Sequence, residues 1–202
     1  MSMFRKLTAL GALTLSMAIA APASANLIVN GSFEAPDIPN GSWQYYSPDQ
    51  VPGWEGSNIE IWQNYNGVSA ADGDQFAELN AHPSTGTAFG IYQDIDTVVG
   101  DWYTVSFAYR ARQSNNEAFD FSFGDLTTLV NDHTTSEWSL FSANFQAIDL
   151  TTRILFTSVN PETGTIGNFL DDVKVAAVPE PGTLALLSMG LLGLGLSRRR
   201  RA

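Results

Sequence analysis

The chain of 202 residues has no cysteine. That excludes a disulfide framework, a thiolate metal site and a cysteine nucleophile, so any core must hold by packing alone. Basic residues are few, and most stand at the ends. Arg5 and Lys6 lie near the start and Arg198, Arg199, Arg200 and Arg201 at the end, which leaves Arg110, Arg112, Arg153 and Lys174 for the middle. Residues 26–178 therefore set 4 basic side chains against 20 acidic ones, a net charge of −16. A surface of that sign repels a phosphate backbone and excludes nucleic acid as a partner. The two histidines, His82 and His133, are far apart and in no metal-ligand or triad spacing. No Gly-x-Ser-x-Gly elbow or phosphate loop occurs either. Two well-spaced carboxylates are enough for glycoside hydrolysis, and the middle has acids to supply them. It lacks a long insertion to form a cleft, and the expectation is a protein that is not an enzyme.

What is present sorts into two end segments and one domain. Aromatics at 11% and charged residues at 15% describe a folding chain rather than a disordered one. Arg5 and Lys6, the apolar run from Leu7 to Ala20 and the small residues Ala23-Ser24-Ala25 read as a secretory signal peptide over 1–25, so signal peptidase should leave Asn26 first. At the other end, Pro179-Glu180-Pro181 precedes an apolar stretch from Leu184 to Leu196 and then the four arginines. As a helix this stretch would reach only about 21 Å at 1.5 Å per residue, short of the roughly 30 Å hydrocarbon core. A weak, transient membrane anchor is expected, with its arginines held on the cytoplasmic side.

The middle has no amphipathic stretch of helical length, and turn pairs such as Asn40-Gly41, Pro52-Gly53, Asn66-Gly67 and Asp72-Gly73 punctuate it. Tyr103, Val105, Phe107 and Tyr109 alternate with Thr104, Ser106, Ala108 and Arg110, the pattern of a strand with one buried face. Phe119, Phe121 and Phe123 repeat it. Further strands are predicted around 27–33, 59–62, 75–80, 89–95, 138–145, 153–157 and 169–175. The expected architecture is all-β: a single β-sandwich of the jelly-roll kind over 26–177.

The order of Pro-Glu-Pro, apolar stretch and basic cluster over 178–202 resembles the PEP-CTERM sorting signal. That resemblance implies recognition by a membrane exosortase through Pro179, Glu180, Pro181 and Arg198 to Arg201. It also implies export to the cell surface or extracellular matrix of a Gram-negative bacterium that makes exopolysaccharide. Within the middle, Asn26 to Glu34, Pro52-Gly53-Trp54, Asp72-Gly73, Phe76 to Asn80 and Leu170 to Val173 are similar to a galactose-binding-like jelly roll, as in carbohydrate-binding modules and DUF642-type surface domains. In that fold a structural Ca²⁺ commonly joins the first and last strands. The matching positions are Glu34, the Ser32 carbonyl and Asp171, with Asp172 as the alternative, and hard oxygens suit that ion.

A sugar site needs an exposed aromatic platform flanked by groups that bond to hydroxyls. Trp54 and Trp138 occupy motif positions that more often pack inside. Trp43, Tyr45, Tyr46, Trp62 and Tyr65 lie in turn-rich sequence and are the better candidates. The expected site is Trp62 and Tyr65, with Glu78, Asn80 and Arg112 as polar partners, and its expected ligand is an extracellular polysaccharide. The rival reading is a structural matrix or adhesion protein with no sugar site. Exposure of the aromatic platform, Trp62 and its neighbours, discriminates between them.

Overall fold

The structure, a computed structural model, describes residues 25–179 and the single position 190. The expected signal peptide and the sorting residues Glu180, Pro181 and Arg198 to Arg201 lie outside the described residues. Eleven strands follow in order: β1 (Ser42–Tyr46), β2 (Glu55–Gly56), β3 (Ile59–Gln63), β4 (Gln75–Glu78), β5 (Gly90–Asp96), β6 (Trp102–Arg110), β7 (Ala118–Phe123), β8 (Leu126–Val130), β9 (Ser139–Gln146), β10 (Thr151–Asn160) and β11 (Phe169–Ala177). They form a six-stranded front sheet, β1-β3-β4-β11-β6-β9, and a five-stranded back sheet, β2-β5-β10-β7-β8. All pairings are antiparallel. Among the described residues no helix is long and apolar enough to cross a membrane.

The sheets close on a core that their alternating residues fill. Tyr103, Val105, Phe107 and Tyr109 of β6 are buried, as are Phe119, Phe121 and Phe123 of β7. Phe107 stacks on Phe141 at 4.7 Å between centroids and meets Phe121 at 4.9 Å and Phe156 at 5.0 Å. Front and back sheets thus meet through aromatic rings, each contributing roughly 2–3 kcal/mol on burial.

Residues 27–33, expected as a strand, instead form an irregular arm. Asn30 and Phe33 have φ near +53°, which turns the backbone out of the extended region. The arm still grips β11. The Leu27 amide donates to the Val175 carbonyl and the Val173 amide donates to the Gly31 carbonyl. The Asn26 side chain accepts the Val175 amide at 3.0 Å. A Cβ at Gly31 would stand 2.1 Å from the Val173 carbonyl oxygen, so this close approach requires glycine. Three strands were not anticipated, among them the two-residue β2. β1 lies at a sheet edge where its aromatics look like loop residues, and β8 is the threonine-rich return of a hairpin turning at Gly124-Asp125.

Candidate functional site

Directly opposed residues on antiparallel neighbours share a face. On the front sheet the register sets Trp43 opposite Trp62, Trp62 opposite Phe76, Tyr45 opposite Glu60, Glu60 opposite Glu78 and Phe169 opposite both Glu78 and Arg110. Ile59, Ile61, Ala77 and Leu170 alternate with them and belong to the core between the sheets. The first set therefore lies on the outside of the sandwich. There Trp62, Phe76 and Phe169 form a second buried cluster, flanked by Trp43, Tyr65, Val68, Ala70 and Trp138. Tyr65 meets Trp62 edge-on at 5.0 Å, and Phe76 meets Phe169 at 4.9 Å. The loop after β3 covers the cluster and is pinned by the Trp138 indole, which donates to the Ser69 carbonyl at 2.9 Å.

That cover corrects the expected platform. Trp62 is only 1% exposed, and its indole donates to Glu60 Oε1 at 2.8 Å. Glu78 and Asn80 are fully buried. Asn80 donates to the Pro161 and Gly164 carbonyls and accepts from Asn168, so its polar atoms are engaged within the fold. Both Glu78 oxygens accept from Arg112 at 2.8 Å, and Oε1 also accepts the Gly167 amide. Burial, and then the charge of Glu60, push the Glu78 carboxyl up to about 9, against the opposing pull of Arg112 and the Gly167 amide. Arg112 lies 4.6 Å above the Trp62 ring. Of the five expected ligand residues, only Tyr65 and Arg112 retain partial exposure.

Two features reach solvent beside this sealed patch. One is a pocket of about 140 Å³ lined by Trp62, Asn66, Val68, Arg112, Gln113 and Phe169. The other is an aromatic shelf on β1. Tyr45 is 51% exposed, Trp43 is half-buried, and the exposed His82 ring stacks on Trp43 at 5.7 Å and tilts against Tyr45 at 6.4 Å. Trp43 also stacks on Trp62 at 6.4 Å, which joins the shelf to the cluster. Trp43 and Tyr45 are visible in sequence as loop aromatics, whereas His82 reads there as an ordinary surface histidine. Glu117 went unnoticed. It is buried and accepts the amides of Arg112, Gln113, Ser114 and Asn168, and so fixes the loop that presents Arg112 and Gln113 to the pocket.

The residues expected at a cation site bond to one loop, Ser32 through its hydroxyl. Glu34 Oε1 accepts the Asp74 and Gln75 amides at 2.8 and 2.9 Å. Asp171 Oδ2 accepts the Ala71 and Asp72 amides, and its Oδ1 accepts the Asp172 amide. The Ser32 hydroxyl donates to Asp72 at 2.7 Å. All three thus meet the same loop, residues 71–75. Burial pushes the Asp171 carboxyl up to about 7, against the amides that lower it. Lys174 pairs with Asp172 rather than with Asp171. Among the described residues no group of three or more histidines and acids is placed to hold a metal, so a cation here would rest on two carboxylates and carbonyl oxygens.

The chain carries the PEP-CTERM protein-sorting motif over residues 177–201. This marks an exported, surface-directed protein and implies processing by an exosortase. No curated protein matches the sequence. Among solved structures the chain is similar to a family 4 carbohydrate-binding module, "CBM4 structure and function", at 22% identity and a TM-score of 0.45 over 75% of this chain and 99% of that one. It is similar to TmCBM61 in complex with β-1,4-galactotriose at 15% and 0.47, over 77% and 100%. It also resembles part of the arabinose-bound α-L-arabinofuranosidase MgGH51 at 14% and 0.50, over 76% of this chain and 26% of that chain. This last likeness supports the jelly-roll sandwich fold.

Proposed function

We propose that the exported domain is a non-catalytic glycan-binding module of the cell surface or matrix, and that its site is the outer face of the front sheet. The observation that carries the reading is the β1 shelf of Trp43, Tyr45 and His82, rings held at the surface beside a pocket edged by Asn66, Arg112 and Gln113. Aromatic faces pack on the C–H faces of a sugar ring, while amide and guanidinium groups bond to its hydroxyls. Trp62 packs beside Trp43, buried at 1% exposure, and is not itself the platform. Glu60 and Glu78, the facing carboxylates of this sheet, are buried. These two carboxylates would therefore not reach a bound glycan. The net charge of −16 over 26–178 favours neutral glycans over uronic-acid polymers at low ionic strength.

A structural Ca²⁺ belongs to the same proposal. Glu34, the Ser32 carbonyl and Asp171 would hold it, and it would tie the N-terminal arm to β11 without taking part in any reaction. Signal peptidase acting after Ala25 and an exosortase acting at Pro179-Glu180-Pro181 would deliver the domain.

A structural matrix role has its own support, because Trp62, Glu78 and Asn80 are all engaged within the fold. Titration of the domain with neutral and uronic-acid polysaccharides separates the two readings. The expected result is weak binding of a neutral glycan, unchanged glycan chain length after incubation, and at least tenfold weaker binding by Tyr45→Ala, about 1.4 kcal/mol. No binding at millimolar sugar, or binding that Tyr45→Ala leaves intact, favours the matrix role.

A further inference from the structure

One end of the sandwich is unusually apolar. Two loops meet there, residues 97–101 between β5 and β6 and residues 147–150 between β9 and β10. Val98 and Val99 are 57% and 55% exposed, Ile148 and Leu150 are 58% and 73% exposed, and the neighbouring Trp102 is 50% exposed. The loops are tied into one frame. The Thr97 amide donates to the Leu150 carbonyl, the Gly100 amide to Ala147 and the Ala147 amide to Asp101. The Thr97 hydroxyl meets the Asp149 carbonyl and the Thr152 hydroxyl, and the Val98 amide donates to the Tyr103 hydroxyl, while the Asp101 and Asp149 side chains are exposed. The hydrogen-bonded backbone thus holds apolar side chains in water, the reverse of the usual arrangement.

The chain leaves the domain at this same end. The Val178 amide donates to the Trp102 carbonyl at 2.7 Å. Only residues 179–183 separate Val178 from the apolar stretch 184–196, a reach of at most about 22 Å from Val178 to Leu184 for an extended chain. Neither loop has a basic side chain, and Asp96, Asp101 and Asp149 lie in or beside them. An anionic headgroup would be repelled, so apolar contact must supply the attraction.

We infer that this tip is a bilayer contact. Val98, Val99, Ile148 and Leu150 enter the interface of the leaflet from which the C-terminal segment emerges, with Trp102 at the headgroup level. The inference rests on the reading that residues 184–196 sit in the membrane before sorting. Four aliphatic side chains bind lipid weakly alone, but the short tether keeps the tip at high effective concentration. The contact holds Pro179-Glu180-Pro181 at the lipid surface, where a membrane enzyme can reach it. It is lost when the tail is removed, and the domain then leaves the membrane.

The absence of cysteine makes the test direct. The chain from Asn26 to Ala202 is reconstituted into phosphatidylcholine vesicles, with an environment-sensitive fluorophore on Ile148→Cys, Leu150→Cys or Thr85→Cys. Thr85 lies in the loop at the other end of the sandwich. Flotation of the vesicles reports anchoring by the tail, and quenching by bromine on the acyl chains reports the tip. The expected result is flotation of all three, several-fold stronger quenching at 148 and 150 than at 85, and loss of that excess when V98D and V99D are added. Flotation with equal quenching at all three sites overturns the tip contact alone. Failure to float overturns the anchored state and the tip contact with it. A fluorescence change that follows protein density instead of lipid bromination would assign the tip to a second copy of the chain and overturn the proposal.

Discussion

Arg112 serves two partners at once, bonding to Glu78 at 2.8 Å and covering the Trp62 ring at 4.6 Å. Replacing it with methionine keeps much of the apolar stem but leaves a buried carboxyl without its cation. Arg112→Met should destabilise the domain by about 2–3 kcal/mol near neutral pH, measured by urea unfolding. The loss should grow above pH 9, where Arg112 lets Glu78 ionise in the wild type while the variant keeps it protonated. The expected site was only partly legible for a related reason. The aromatics after Trp43 are visible in the sequence, but whether a ring is a platform or a core depends on the loop that crosses it, and no periodicity announces that residues 64–70 fold back over Trp62. Glu78 and Asn80 share a strand face as the alternation implies, yet that face is sealed. Glu117 could not be found at all, since four backbone amides converging on one carboxylate leave no sequence signature.

Among elements, the long strands were the most legible, because β6, β7 and β10 each bury one face and expose the other. Edge elements were not: β1 is half-exposed along its length, and the arm at 26–33 makes its backbone bonds to β11 from irregular geometry. The Asn26 to Glu34 motif nevertheless has a physical basis in Asn26, Gly31 and Glu34, each of which ties the arm to β11 or to residues 71–75. Gly73 belongs to that contact, with φ at +71° and a would-be Cβ 2.2 Å from Glu34 Oε1. If Ca²⁺ completes this junction, a millimolar excess should raise the melting temperature, since a ligand bound only by the folded state stabilises it by mass action. Glu34→Ala should abolish the gain. A wild-type melting curve unmoved by EDTA after verified metal removal would exclude the cation and leave the backbone hydrogen bonds as the whole junction.

For the whole molecule, two buried groups set opposite pH limits. Burial lowers His133 to about 4, against the charges of Glu117 and Asp132, and the ring packs between Tyr109 and Phe119 with neither nitrogen hydrogen-bonded. Its folded value lies below the unfolded 6.5, so stability falls as pH drops from 6.5 toward 4, where only the unfolded chain takes up the proton. Glu78 works the other way, its folded value lying above the unfolded one, and stability falls as pH rises from the ordinary carboxylate range toward 9, where only the unfolded chain has lost the proton. His133→Leu should therefore gain on the wild type in melting temperature steadily from pH 7 to pH 4.5, and parallel curves would contradict this. The fold class and the sorting signal were legible from end to end of the sequence, since both follow from composition and order. The binding face depends on how two sheets and a loop meet. The five tryptophans report on that meeting from separate places: Trp54 in the core, Trp102 at the apolar tip, and Trp43, Trp62 and Trp138 on the outer face of the front sheet. Indole N–H resonances followed during titration with a neutral polysaccharide therefore locate the site directly. Glycan binding on this face predicts shifts at Trp43, smaller shifts at Trp62 and Trp138, and none at Trp54 or Trp102. Shifts confined to Trp102, or no shift at any indole at saturating sugar, would contradict it.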